Sequence, residues 1–151
     1  MTSTSNPSAA TVSAPDRNAN SAKRLSPEAE TVFAAFDDRA RGVLLTIRDM
    51  IFDVAAATED AGQVVEQIRW GQPSFATRPK TGTPMRLGVT DAGHCAIFVH
   101  CQSRMMADAP VSFAALTPMG ARGVEVRDLN DASIPELRAF IRAALTYHLW
   151  R

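Results

Sequence analysis

Glu66-Gln67-Ile68-Arg69-Trp70-Gly71-Gln72-Pro73-Ser74-Phe75 is the stretch on which the fold of this chain turns. Just upstream, Val64, Val65 and Ile68 fall at spacings that put them on one face of a short helix. Gly71 suits the end of that helix, because glycine enters the left-handed conformation without a Cβ penalty. Gln72 precedes a proline and is pushed toward extended geometry. Pro73 to Thr77 then starts a strand, with the proline where no ladder donor is needed. The stretch reads as a helix-to-strand corner, in which Trp70 locks the helix against the sheet.

Upstream of the corner the pattern is helical. Ser26-Pro27-Glu28 combines a side-chain acceptor, a residue suited to the first helical position and a negative charge at the positive helix end. It opens a helix predicted to run to about Asp37, with Ala29, Val32, Phe33 and Phe36 on its apolar face. A second helix, about Arg39 to Ala56, carries a stripe through Val43, Leu44, Ile47, Met50, Ile51 and Val54. Leu45 and Phe52 form another stripe on its opposite side. Either a further part of the domain or a partner subunit covers that stripe, the second case being a homodimer.

Downstream, Met85, Leu87 and Val89 alternate with Arg86, Gly88 and Thr90, the period of a half-buried strand. Asp91-Ala92-Gly93 turns the chain, and residues His94 to His100 return as a second strand. Gln102 to Pro118 is irregular, with a short helix near Ser103 to Ala107. Gly123 to Arg127 reads as a further strand. Ser133 and Glu136 have capping-box spacing and open the last helix, whose apolar face includes Leu137, Phe140, Ile141 and Tyr147. Helices, then strands, then one helix imply an α+β domain, with an antiparallel sheet packed by the N-terminal helices and a C-terminal helix.

Residues 1–25 are rich in Ser, Thr, Asn, Ala and Pro and bury too little to offset ordering, so a disordered tail is expected before a domain over 26–151. The chain has 151 residues, with 16 basic side chains against 16 acidic ones. That balance supplies no field for nucleic acid. No apolar run reaches the roughly 18 residues of a membrane span. Cys95 and Cys101 lack the spacing of a zinc knuckle or a redox pair, which fits a reducing cytoplasm.

Few residues invite a chemical role. His94 and His100 lie about 20 Å apart on a straight strand and cannot share an ion. The two cysteines read as buried thiols, and His148 as a core histidine of the last helix. Ser74 lacks a nucleophile elbow. Asp49 and Asp53, one turn apart on the second helix, are the candidate metal ligands, although two carboxylates make a thin site for a hard cation. Trp70, Pro73, Ser74, Phe75, His100 and Arg122 are the candidate lining of a small ligand pocket at one end of the sheet.

Glu66-x-x-x-Trp70-Gly71-Gln72-Pro73-Ser74-Phe75, the helix through Leu45 to Ile51, the His100 stretch and the closing Ala144 to His148 together resemble the YdhG-like family of uncharacterised bacterial domains. The resemblance covers about residues 29 to 149, and its specific part is the Trp-Gly-x-Pro-Ser core. It implies a compact α+β fold with a curved antiparallel sheet and, for some members, a frataxin-like role as an intracellular iron chaperone. Trp70, Gly71, Pro73 and Ser74 match the family's corner; no iron ligand carries over. The expected function is a small non-enzymatic cytoplasmic domain with no resident cofactor, binding a small ligand or a partner protein. The alternative is an iron-binding chaperone.

Overall fold

The computed structural model describes residues 24–151. The tail expected over 1–25 lies outside them, except for Arg24 and Leu25. The Arg24 carbonyl accepts a hydrogen bond from Arg48 Nη2 at 3.2 Å, and Leu25 packs half-buried against the core.

Helix α1, Pro27–Ala34, begins where expected, with Ser26 Oγ accepting the Ala29 amide at 3.1 Å. Asp37 caps α2, Asp38–Ala57, by accepting the Ala40 amide at 2.8 Å. The stripe through Leu44, Ile47 and Ile51 is fully buried. The opposite stripe is covered from within the chain: Phe52 is half-buried, edge-on to Phe75 with ring centroids 6.0 Å apart.

The predicted third helix is absent. Gln63–Arg69 is strand β1, and it pairs along its whole length with β2, Gln72–Arg78, in register from Gln63↔Arg78 to Arg69↔Gln72. The corner is therefore a β-hairpin with the two-residue loop Trp70-Gly71. Trp70 has φ 52° and Gly71 φ 74°. Positive φ at both central positions is what a type I′ turn requires, and that turn matches the twist of paired strands. The misreading has a physical cause. Val64, Glu66 and Ile68 share one face of β1, and Glu66 interrupts the apolar alternation. Its carboxylate is answered by the buried Arg48, whose Nε and Nη2 donate to Glu66 Oε2 and Oε1 at 2.9 and 2.7 Å. A strand whose inward charge is paired across to a helix lacks the apolar period by which strands are recognised.

The sheet continues through β3, Met85–Val89, and β4, Cys95–Phe98. After helix α3, Met105–Asp108, the segment expected to be irregular holds a short strand, β5, Thr117–Pro118. Strand β6 is Gly123–Glu125. The six strands form one open antiparallel sheet in the order β1-β2-β3-β4-β6-β5. Helix α4, Ser133–Leu145, packs against α2, and the chain closes with α5, Tyr147–Trp150. The protein is thus α+β, its core lying between one sheet face (Phe75, Leu87, Ile97, Val124) and the helices.

Two details of the C-terminal part differ from expectation. Ser133 and Glu136 close no capping box: Asn130 Oδ1 accepts the Ala132 and Ser133 amides, while Glu136 accepts from the amides of Ala114, Ala115 and Leu116. That carboxylate ties a long loop to α4. His148 is exposed, because the chain leaves α4 at Thr146 and the helical phase that would bury it is lost; Tyr147 is the buried residue of α5. Of the two thiols, Cys95 is buried and Cys101 exposed.

Candidate functional site

Strand alternation separates the core from the opposite sheet face. Pairing places Gln67, Ser74, Arg86 and Phe98 in one row across β1 to β4, with Val65 and Ala76 beside it. A cavity of about 210 Å³ opens on this face. Val65, Ala76 and Pro84 supply its apolar wall; Gln67 and Ser74 are its neutral polar groups. Its charged or chargeable groups are Arg69, Arg86 and His100, and no carboxylate lines it. Pro84 is held in place by the loop before it. Thr77 Oγ1 accepts the Thr81 and Gly82 amides at 3.0 Å, and the Thr83 amide donates to Ala144 O at 2.8 Å.

Trp70 stands at the hairpin tip over this cavity, 85% exposed. Its ring lies against the half-buried Arg86 guanidinium, 5.1 Å from the ring centroid, and the same guanidinium lies 5.9 Å from the Phe98 centroid. Arg86 Nη1 donates to Gln72 Oε1 at 2.7 Å, its one hydrogen bond among the described residues. Gly88 makes room for that brace. A Cβ there would come 2.5 Å from Gln72 Nε2 and 3.2 Å from Phe98 Cε2, so a larger residue would push the Gln72 amide from its place over the sheet. Arg86 is thus oriented by two rings and an amide, and none of the three neutralises it. A cation in this setting attracts an anion, with a planar fork that fits a carboxylate.

His100 lies one row beyond Phe98. Its Nδ1 accepts the Gln102 amide at 3.1 Å, so the neutral ring carries its proton on Nε2, a donor. A second, wider groove of about 580 Å³ shares Trp70, Arg86 and His100 and extends to Asp91, Cys101 and Arg122.

The expected pocket residues therefore divide. Trp70, Ser74 and His100 border the smaller cavity, and Arg122 borders the groove. Pro73 and Phe75 do not belong to either. They alternate with Ser74 onto the helix side, where Phe75 is fully buried against Phe52. Trp70 is not the core wedge expected of it, since the hairpin tip projects beyond the sheet. Asp49 and Asp53 are exposed on α2, and no group of three His, Cys, Asp or Glu that could hold a metal ion occurs among the described residues. Sequence reasoning missed Arg86, Gln67, Gln72 and Phe98. The alternation in β3 had already turned Arg86 away from the core, but its place beside Ser74 and Trp70 follows only from the hairpin register.

No family model matches the chain, and no curated protein or solved structure matches it significantly.

Proposed function

We propose that this chain is a small non-enzymatic domain of the YdhG-like kind that binds a small ligand on the open face of its sheet, between Trp70, Arg86 and His100. The observation that carries this reading is the placement of Trp70. A bulky non-glycine residue in the left-handed region costs on the order of 1 to 3 kcal/mol, and asparagine or glycine is the usual occupant of such a turn position. The ring recovers little by burial, being 85% exposed. A tryptophan so placed serves the cavity beneath it better than the hairpin that holds it.

Chemistry at the site is of the binding kind. Ser74 and His100 border one cavity with no hydrogen bond between them among the described residues, and the His100 Nδ1 that would face an orienting acid takes a backbone amide. A cytoplasmic setting is part of the proposal; no described helix is long and apolar enough to cross a membrane. The iron-chaperone reading would rest on Asp49 and Asp53, and no observation favours it over the pocket.

A thermal-shift screen against small metabolites tests the reading. Compounds that raise the Tm of the native protein are expected to lose most of that effect in Trp70→Asn, which keeps a turn-compatible residue. If the folded native protein responds to no compound, the binding reading is wrong.

A further inference from the structure

We infer that the ligand of this site is a small planar carboxylate with an aromatic or conjugated body, its carboxylate held by Arg86 and its body resting between Trp70 and the apolar wall. The inference rests on the proposed binding function and names the chemical class that the site would take.

Three independent features converge on that class. The first is charge. Arg86 is half-buried, has no carboxylate partner among the described residues, and lies in a cavity whose other chargeable groups, Arg69 and His100, are basic. An unneutralised guanidinium away from bulk water gains most from an anion, and its two-pronged edge pairs with a carboxylate in plane. Phosphate sites more often gather several backbone amides at a helix N-terminus or a loop nest; the polar lining here consists of side chains on strands and at their ends.

The second feature is polarity along the cavity. Val65 and Ala76 are paired neighbours on β1 and β2, and Pro84 follows in the next strand's approach. This wall lies one row away from Arg86, so a bound molecule needs an apolar body attached to its anionic end. The third is size and shape. A cavity of about 150 Å³ suffices for benzene in a protein interior. About 210 Å³ accommodates one ring with a carboxylate. The flat, largely uncovered Trp70 ring favours a planar body, which stacks on it at small entropic cost.

His100 contributes a further donor through Nε2–H, while Gln72, seated over Gly88, keeps Arg86 from swinging out of the sheet row. Gln72 acts as a positioning residue and lies outside the smaller cavity's lining.

Isothermal titration with benzoate as the probe tests the inference, with benzamide, cyclohexanecarboxylate, benzylamine and inorganic phosphate as comparisons. Benzoate is expected to bind with a Kd of about 1 mM or tighter. Benzamide, which keeps the ring and loses the charge, should bind at least about 10-fold more weakly. Arg86→Gln is expected to weaken benzoate by about 10- to 100-fold, and Arg86→Lys to recover only part of that, because the ammonium lacks the fork. Gly88→Ala should displace Gln72 and weaken benzoate without altering a lining residue. Urea unfolding of each variant shows whether it is folded, and Trp70→Asn supplies a second route should the Arg86 variants unfold. Benzamide or benzylamine binding as well as benzoate, phosphate binding in its place, or benzoate affinity unchanged in Arg86→Gln or Trp70→Asn would each overturn the inference. Binding of a neutral or cationic compound that depends on Trp70 would overturn it while leaving the binding function intact. Absence of binding by every class would remove both.

Discussion

Two hairpins of the sheet, β1–β2 and β3–β4, turn the chain in different ways. At the tip between β3 and β4, the left-handed residue is Gly93, at φ 88°, and Thr90 fastens the turn. Its amide donates to His94 O at 2.8 Å, its carbonyl accepts the Gly93 amide at 2.8 Å, and its hydroxyl accepts the His94 amide at 3.1 Å. Between β1 and β2 the first left-handed residue is Trp70, whose ring meets Arg86 instead of the turn. One tip is assembled from residues that suit its backbone. The other carries a side chain that its backbone disfavours, and the stability of that hairpin is anchored further down, where Glu66 meets Arg48. The tip built against local preference is the one that borders the proposed binding cavity.

That contrast makes its own tests. Glu66→Ala removes the carboxylate that pairs with Arg48, which is 2% exposed, and should destabilise the fold by about 3 to 5 kcal/mol in urea unfolding, the usual consequence of breaking a buried ion pair from one side. A loss under about 1 kcal/mol would mean that the first hairpin is not anchored there. Gly93→Ala forces a Cβ into the left-handed region and is expected to cost about 1 to 2 kcal/mol, although open space surrounds the position. Trp70→Asn should fall no more than about 0.5 kcal/mol below the native protein, since relief of backbone strain at least offsets an exposed cation–π contact worth about 0.5 to 1 kcal/mol. A loss above about 1.5 kcal/mol would make Trp70 a folding residue and erase the difference between the tips. The smallest effect concerns reactivity and leaves stability unchanged. Burial pushes the Cys95 thiol above its ordinary pKa, so native protein should take up one equivalent of a thiol reagent, at the exposed Cys101, and a second only on unfolding. Two rapid equivalents would contradict the packing of β4.

The same two hairpins explain what could be read in the residues. Met85, Leu87 and Val89 alternate cleanly and lead into Asp91-Ala92-Gly93, so the second hairpin is legible. The two N-terminal helices are legible from their apolar stripes, and the first also from its start at Ser26; Asp37, expected at the end of that helix, is instead the cap of the next. In the first hairpin both signals fail together. Glu66 stands where an apolar residue would show the strand, and Trp70 where asparagine or glycine would show the turn. Each exception depends on a group distant in sequence, Arg48 for one and Arg86 for the other. Of the candidate pocket, Trp70, Ser74 and His100 could be found from their neighbourhood. Arg86 joins them only through pairing across β2 and β3, and the same pairing sends Pro73 and Phe75 to the other side.

The tryptophans offer a practical return. The chain has two, and their surroundings differ sharply. Trp150 is partly enclosed, its indole N–H donating to Ala143 O at 2.8 Å and its ring edge-on to Tyr147. Trp70 meets solvent over most of its area beside a cation. Long-wavelength fluorescence should therefore come from Trp70 above all, and a molecule entering the cavity would alter the colour and intensity of that emission. The protein carries its own optical gauge of occupancy, with Trp150 as the internal standard against which to read it.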